Sequence, residues 1–294
     1  MASTFELAGK KDAPGRGILW MLATTFCFVS MDALAKYLSQ SYPVLQVVWA
    51  RYVFHLLILA LVLGPRLPRV VRTGRLGLQF LRSLFLLGAT GLFFAALSFI
   101  PLADATAIMF VAPILVTAMS VPLLGEHVGP QRWASVVVGF LGALVIIRPG
   151  SDAMEPAALL ALGAASCYGF YQIATRRLSA TDAPLTTLMY SAAVGVLVSC
   201  AVVPFFWVTP SPADWLAMMG LGLFGALGHF ALIKAFQAAT AVTVTPFGYV
   251  NLLWAVLFGF VMFGELPDAW TVLGAAIIAA SGLYILHREK LRRA

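Results

Sequence analysis

Charged residues are scarce in this chain of 294 residues. Only 11% of them are Asp, Glu, Lys or Arg, whereas an average soluble domain has about 25%. Hydrophobic residues make up 61% of the chain, which is more than a water-exposed surface would allow. The composition therefore excludes an ordinary soluble domain and indicates that a lipid bilayer takes the place of much of the solvent.

The chain also lacks the residue clusters that carry metal or covalent chemistry. Its three cysteines, Cys27, Cys167 and Cys200, fall inside apolar runs, a setting more typical of small packing residues than of disulfide partners or metal ligands. It has no Walker lysine motif, no paired His or Cys ligand set and no helix with several carboxylates. We therefore expect no metal, no cofactor and no ATP-driven pump.

Long apolar runs are what the chain has in abundance. Ten runs, each near the roughly 20 residues that cross a bilayer as a helix, lie at about 17–38, 43–63, 78–100, 102–123, 130–147, 156–176, 184–207, 213–236, 241–263 and 269–287. Only residues 101–104 and 237–240 separate two of the neighbouring pairs, so a nine-segment alternative stays open. The predicted fold class is all-α, a polytopic membrane protein of ten transmembrane helices.

The second half of the chain repeats the first after about 140 residues. Sliding 22–39 onto 162–179 pairs Cys27 with Cys167 and Lys36 with Arg176, and the Gly-Glu pair at 125–126 recurs at 264–265. A repeat with five membrane segments predicts two halves of opposite orientation, as in many transporters. We predict a tail at 1–16, a first repeat at 17–147, a second, inverted repeat at 148–287 and a basic tail at 288–294.

Basic residues predict the orientation, because short cytoplasmic loops collect Lys and Arg. If the N-terminus is cytoplasmic, 16 of the 19 basic residues fall on that side: Lys10, Lys11, Arg16, Arg66, Arg69, Arg72, Arg75, Arg82, Arg132, Arg176, Arg177, Lys234, Arg288, Lys290, Arg292 and Arg293. Most acidic residues of the loops fall on the other side. Both termini are therefore predicted to be cytoplasmic, and the +7 net charge needs no nucleic acid to explain it.

Several motifs mark a resemblance to a known family. A Gly-Glu pair closes the fourth helix of each half, the fifth helices are rich in glycine, and Lys36 and Arg176 end the first helix of each half. In these respects the chain resembles the drug/metabolite transporter superfamily, specifically its EamA-type exporters, and looks like the YddG-type exporters of aromatic and other hydrophobic amino acids. The resemblance implies an inner-membrane exporter that works by alternating access through a central cavity.

Two alternatives remain beside that resemblance. One is a carrier of the same superfamily for drugs, nucleotide sugars or other small metabolites. The other is a membrane-embedded transferase, although no nucleophile with its base is apparent in the sequence. The expected partners are the bilayer and a small-molecule substrate, and the sequence suggests no obligatory protein partner.

Prolines suggest where helices bend. Pro113 lies in the middle of the fourth segment, as the resemblance implies, but the corresponding position in the second half is Leu252. Pro246 lies earlier in that ninth segment and could bend it elsewhere, since proline removes a helical hydrogen bond. Pro113 and Pro246 are therefore hinge candidates, and a symmetric hinge is in doubt.

Ionisable residues inside apolar runs are candidates for a functional role, because burying a charge in a membrane costs at least about 2.5 kcal/mol. Asp32, Lys36 and Arg51 are candidates for an ion pair or outer gate. The alternative is that Asp32 pairs with Lys36 one turn away while Arg51 extends to the membrane surface. Proton coupling would have only Asp32, His55 and His229 to use, and facilitated transport is equally compatible with the sequence.

Aromatic and polar residues within the apolar runs predict a substrate cavity. An amphiphilic solute needs apolar walls with a few fixed polar groups. The candidates are Phe28, Tyr168, Tyr171, Gln172, His229, Tyr249, Asn251 and Trp254. For His229, which follows a stripe of glycines, helix packing through small residues is an equal alternative.

Overall fold

The computed structural model describes residues 13–124, 129–149, 155–179 and 181–293, and the regular secondary structure within these ranges is entirely helical. Most of the predicted N-terminal tail, the Gly125-Glu126 landmark and Asp152 lie outside the described residues. The longer helices are α1 (Pro14–Ser39), α2 (Val44–Leu63), α3 (Leu76–Leu97), α4 (Leu102–Met109), α5 (Ala112–Leu124), α6 (Pro130–Ile147), α7 (Ala158–Leu178), α8 (Pro184–Val202), α9 (Pro212–Ala238), α10 (Val250–Phe263) and α11 (Ala269–Arg293).

Shorter turns complete the helical framework. They are single α-helical turns at Leu67–Val70 and Ala241–Val244 and 3-10 turns at Gly64–Arg66, Val203–Phe206 and Thr245–Tyr249. Within the described residues, eight helical stretches are long and apolar enough to cross a membrane, and two shorter apolar helices lie at Trp133–Ile147 and Ala269–Tyr284. The all-α, multi-pass character predicted from the apolar runs is thus found in the structure.

Local sequence explains where many of the helices begin. Pro14, Pro130, Pro184 and Pro212 open α1, α6, α8 and α9, because proline has the backbone angle of a first helical residue and needs no hydrogen-bond acceptor there. Ser211 precedes α9, and its hydroxyl accepts a hydrogen bond from the backbone N–H of Asp214 at 3.2 Å, which caps the helix.

The fourth and ninth apolar runs are broken in the middle. The fourth is divided into α4 and α5 at Phe110 and Val111, two residues before Pro113, and the ninth contains the 3-10 turn Thr245–Tyr249, which includes Pro246. The Gly-Glu pairs of the two halves are 139 residues apart, and the same spacing carries Phe110 onto Tyr249. The two breaks therefore occupy corresponding places although the prolines do not.

Helices from the two halves alternate in the packing. The helix α1 lies along α9, and α3 lies along α7; α2 packs against both α8 and α9, while α3 also packs against α8. The broken segments follow, since α5 packs on α7, α10 on α1, and α4 on α10. The helices α6 and α11 pack mainly against each other. The main hydrophobic core lies where α1, α2, α3 and α4 meet helices of the second half.

Contacts between helix ends define two ends of the bundle. At one end, the N–H of Ala13 donates to the carbonyl of Ala238 at 3.1 Å, and the hydroxyl of Tyr190 donates to the carbonyl of Val71 at 2.8 Å. At the other end, Tyr42 donates to the carboxylate of Asp214 at 2.7 Å, and Gln46 and Val208 exchange two hydrogen bonds. Successive connections thus return to alternate ends.

Glycines allow the closest helix contacts. A methyl group at Gly195 in α8 would overlap the ring of Tyr52 in α2, and one at Gly228 in α9 would lie 2.7 Å from the ring of Phe28 in α1. Absent side chains therefore let aromatic rings sit directly on the neighbouring backbone, as is common between membrane helices.

Replacing Gly195 with alanine should destabilise the protein. The added methyl would displace the buried Tyr52 ring, which costs about 1–3 kcal/mol in a packed interior. We expect Gly195→Ala to lower the thermal unfolding temperature of detergent-purified protein, followed by tryptophan fluorescence. Gly91→Ala is the matched control, since Gly91 lies within α3 with nothing near the added methyl. Equal unfolding temperatures for the two variants would contradict the role of Gly195.

Candidate functional site

A cavity of about 510 Å³ lies between the two halves, within the size range of small-molecule sites. Its wall is contributed by α1, α3, α4, α5, α7, α9 and the segment 245–251, with single residues from α2 and α11: Met21, Thr24, Thr25, Phe28, Met31, Asp32, Arg51, Leu86, Ala89, Thr90, Phe93, Phe94, Thr106, Met109, Phe110, Ala112, Pro113, Ile114, Thr117, Tyr168, Gln172, His229, Leu232, Thr245, Gly248, Tyr249, Asn251 and Gly282. The wall is mostly apolar and aromatic.

Six of the eight predicted cavity residues lie on this wall, namely Phe28, Tyr168, Gln172, His229, Tyr249 and Asn251. Tyr171 lies behind it, where its ring stacks on Tyr168 with centroids 5.4 Å apart. Trp254 also points elsewhere, and its ring meets the edge of Phe26 at 5.4 Å. Tyr171 shares a helix face with Tyr168 and Gln172 by its spacing, and Trp254 lies near the centre of the ninth segment. Neither feature shows by itself which side chain reaches a cavity.

The prediction did not include the aromatic residues of α3 and the fourth segment. Phe93, Phe94 and Phe110 line the cavity together with hydroxyl groups such as those of Thr90 and Thr106. Phenylalanine in an apolar run carries no signal of its own, because lipid-facing and cavity-facing rings look the same in sequence. The isolated threonines were the available sign, since each places a hydroxyl in an otherwise apolar segment.

Asp32 and Arg51 both face the cavity, and neither predicted arrangement is observed. They do not form an ion pair with each other, nor does Asp32 pair with Lys36. Arg51 does not reach the membrane surface, because its side chain is buried and donates to the hydroxyl of Thr90 at 3.0 Å. Its guanidinium also lies over the ring of Tyr52, 4.6 Å from the centroid.

His229 lies on the wall next to a second histidine. Its ring meets the edge of Phe28 at 5.0 Å and lies 5.7 Å from the ring of His55. The glycine stripe before it serves packing, since Gly225 faces Met31 and Gly228 faces the ring of Phe28. The two alternatives considered for His229 were a cavity contact and helix packing through small residues. In the structure the glycines of α9 pack against α1, and the imidazole of His229 lies at the cavity.

Lys36 lies one turn beyond Asp32, and its side chain binds groups at the end of the bundle where Tyr42 contacts Asp214. Its buried ammonium group forms an ion pair with the partly exposed Glu265 at 2.8 Å and donates to the carbonyl of Ile100 at 2.8 Å. The other carboxylate oxygen of Glu265 accepts from the N–H of Leu102 at 3.3 Å. The pair therefore joins α1 to the connection between α3 and α4 and to the loop after α10.

A second ion pair supports the same end. Arg148 contacts Asp268 at 2.8 Å. The backbone N–H of Thr271, a hydrogen-bond donor to this carboxylate, lowers the pKa of Asp268 below its usual value, and the Arg148 guanidinium acts in the same direction. At the opposite end partial burial raises the pKa of Asp182, but hydrogen bonds from Thr73 and Gln79 outweigh it and leave that pKa lowered.

Arg82, which the charge pattern assigns to the cytoplasmic side, lies near the start of α3. It is buried within the bundle and makes four hydrogen bonds. The acceptors are Thr175 and Tyr171 of α7 and Ser191 and the carbonyl of Thr187 in α8, at 2.6–2.8 Å. The guanidinium thus joins α3 to two helices of the second half, directly behind the Tyr168 wall.

The hinge candidates lie beside the cavity. Pro113 forms part of the wall, and Pro246 is flanked by the wall residue Thr245 within the 3-10 turn. Tyr249 ends that turn, and its hydroxyl rests against Gly282 of α11, where any side chain would overlap it. Both breaks in the helices therefore border the cavity. Among the described residues, no group of three or more His, Cys, Asp or Glu is arranged to hold a metal ion.

Comparison with known families matches both halves of the chain. Residues 15–148 and 155–286 each match the family described as EamA-like transporter family. The superfamily resemblance seen in the sequence is thereby confirmed.

Curated relatives cover nearly the whole chain. The S-adenosylmethionine uptake transporter of Rickettsia prowazekii is 30% identical over 93% of both chains. The riboflavin transporter of Vibrio cholerae is 31% identical over 95% of both chains. The pseudopaline exporter CntI of Pseudomonas aeruginosa is 28% identical over 93% of this chain and 97% of that one. These relatives support a transporter and do not show the finer resemblance to exporters of aromatic amino acids.

A solved structure supports the fold. One crystal structure of a protein with 20% sequence identity superposes with a TM-score of 0.58 and covers 90% of this chain and 98% of its own.

Arg82→Lys should destabilise the bundle although the charge is kept. A lysine ammonium cannot reproduce the fork that serves four acceptors on two helices, and each lost hydrogen bond to a charged group is worth about 1.5–3 kcal/mol. We expect a clear fall in the thermal unfolding temperature of detergent-purified protein. Arg66→Lys, at an exposed position, is the control. An unchanged unfolding temperature for Arg82→Lys would show that these bonds carry no stability.

Proposed function

Because the chain belongs to the EamA-like transporter family, we propose that it carries a small amphiphilic metabolite across a membrane by exposing its cavity to each side in turn. The observation that carries this proposal is the cavity of about 510 Å³, with aromatic walls and a few fixed polar groups, between the two halves. Such a site suits a solute with a planar or apolar body and charged ends.

The relatives support a metabolite of this kind. They are named for S-adenosylmethionine, riboflavin and pseudopaline, and the first two compounds combine planar rings with polar groups. Aromatic and other hydrophobic amino acids, the substrates implied by the sequence resemblance, fit the same description. They remain candidates on the strength of the wall formed by Phe28, Tyr168 and Tyr249.

Alternating access is supported by the way in which the packing repeats. The contact of α1 with α9 has a counterpart in that of α7 with α3, and the contact of α10 with α1 has one in that of α5 with α7. These are the contacts expected when 17–147 and 148–287 form two inverted halves, each with five crossings. Rocking of one half against the other would then move the opening from one side to the other.

The charge distribution supports an orientation with both termini in the cytoplasm and, in a bacterium, a location in the inner membrane. Arg72 and Arg75 precede α3, and Arg176 and Arg177 end α7. These positions belong to the end where Val71 meets Tyr190. The acidic Asp214, Glu265 and Asp268 lie at the other end. The excess of basic residues supports the assignment of the first end to the cytoplasm.

Transport in proteoliposomes tests the proposal directly. Purified protein would be assayed for uptake and counterflow of labelled S-adenosylmethionine, riboflavin, phenylalanine, tryptophan and methionine, with threonine and a cationic dye for comparison. We expect saturable counterflow of at least one ring-bearing compound and a large loss of it in Tyr168→Ala, because the ring forms part of the wall. Glu155→Gln, at an exposed loop position, should transport normally. Absence of counterflow for every compound would contradict the proposal.

Breaking the ion pair of Lys36 should favour opening at the acidic end of the bundle. In Glu265→Gln the buried ammonium loses its counter-charge, which costs several kcal/mol in the closed arrangement. We expect a cysteine introduced at Thr90, in a background without Cys27, Cys167 and Cys200, to react faster with a membrane-impermeant thiol reagent applied from that side. Glu155→Gln serves as the charge-matched control. Equal rates would mean that the pair does not hold this end closed.

A further inference from the structure

We propose that the cavity selects a substrate with one positive and one negative charge on an apolar body, with Asp32 facing the cation and Arg51 facing the anion. This inference rests on the proposed function and specifies the chemistry of its site. Both residues line the cavity, on adjacent helices, and both are more than nine-tenths buried.

Asp32 has no direct polar contact with another described residue, and Arg51 is the charged side chain whose attraction acts on it. The side chain of Asp32 is 7% exposed, and no described residue donates a hydrogen bond to it or forms an ion pair with it. Lys36, one turn away, is already bound to Glu265 and to the carbonyl of Ile100. A buried carboxylate with neither a hydrogen bond nor a contacting cation is costly. A cationic group in the cavity would supply the direct contact that the described residues do not.

Arg51 is held in place while part of its guanidinium stays unused. Its Nε contacts the sulfur of Met31 at 3.4 Å, and Nη1 donates to Thr90 at 3.0 Å. Among the described residues Nη2 has no acceptor. The ring of Tyr52 packs against the guanidinium, whose carbon lies 4.6 Å from the ring centroid. A pre-positioned arginine with free N–H groups is suited to bind a carboxylate.

The two charges share a cavity without contacting each other. A ligand with a single charge could contact only one of them and would leave the other with no opposite charge in direct contact, although the two groups attract each other. A ligand with both charges, spaced to reach each group, satisfies both at once. Arg82 does not compete for the anion, because it does not line the cavity and four of its five N–H groups are engaged by acceptors of α7 and α8.

The rest of the wall specifies the body between those charges. Phe28, Phe93, Phe110 and Tyr249 provide aromatic faces, which favour apolar or planar groups and also attract a cation through their π-electrons. The site therefore fits an amino acid with a large side chain or a larger metabolite that contains such a zwitterionic end.

Four compounds with one phenyl body separate the contributions of the two charges. L-phenylalanine carries both charges, phenethylamine only the positive one, 3-phenylpropionate only the negative one, and 3-phenylpropan-1-ol neither. Their binding to detergent-purified wild-type protein would be measured by calorimetry. We expect phenylalanine to bind at least about tenfold more tightly than any of the other three. Equal affinity across the series, or no binding by any member, would overturn the inference.

Two variants then assign each charge to its residue. Asp32→Asn should weaken phenylalanine and phenethylamine binding by about tenfold or more and leave 3-phenylpropionate unchanged. Arg51→Gln should weaken phenylalanine and 3-phenylpropionate and leave phenethylamine unchanged. Glu155→Gln and Arg66→Gln remove the same charges at exposed positions and should change nothing. Identical behaviour of all four variants would overturn the assignment, and the wild-type series stands as a test should a variant fail to fold.

The outcome separates this inference from the proposed function. Binding that prefers the zwitterion, together with no counterflow of any compound in proteoliposomes, would uphold the charge assignment and reject transport. Saturable counterflow with no dependence of binding on ligand charge would uphold transport and reject the charge assignment.

Discussion

Inside a bilayer, every buried charge has to find its partner within the protein, because there is no water to solvate it. This constraint orders the interior of the bundle. Lys36 is fully met by Glu265 and a backbone carbonyl, and Arg82 by four neutral acceptors. Arg51 donates a hydrogen bond to Thr90 but has no ion-pair partner, and Asp32 has neither a hydrogen bond nor an ion pair with a described residue. Of these four charged residues, Asp32 and Arg51 line the cavity and have the fewest direct partners, which is expected where a ligand supplies the missing contacts.

The outline of the fold could be predicted from sequence because apolar run length is a direct consequence of bilayer thickness. The predicted run at 130–147 coincides with α6, and most others agree with the observed helices within three residues. Side-chain partners could not be predicted in the same way. Arg82 follows soon after a basic loop in sequence, yet it is buried by α7 and α8, which lie about 100 residues later. Pairing across such distances depends on how the halves meet.

The same limit explains which cavity residues were found. Tyr168, Gln172 and His229 stood out because polar groups are unusual in apolar helices, and all three lie on the wall. Tyr171 was equally unusual, but Arg82 accounts for it. The breaks in the fourth and ninth segments were only partly predictable from their prolines.

Pro113 and Pro246 do not occupy corresponding positions, yet the two breaks do. We infer that packing around the cavity determines where each segment breaks, and that a proline nearby is enough to permit the break.

The contact between Tyr249 and Gly282 has a consequence for how relatives of this chain could diverge. The absence of a side chain at 282 makes room for the hydroxyl end of Tyr249, a wall residue, and any larger residue there would displace this tyrosine. The room available to a ligand thus depends on a position in α11, whereas its charge is met by groups on α1 and α2. Because different helices govern them, size preference and charge preference can evolve separately, and one scaffold can come to serve metabolites of very different bulk.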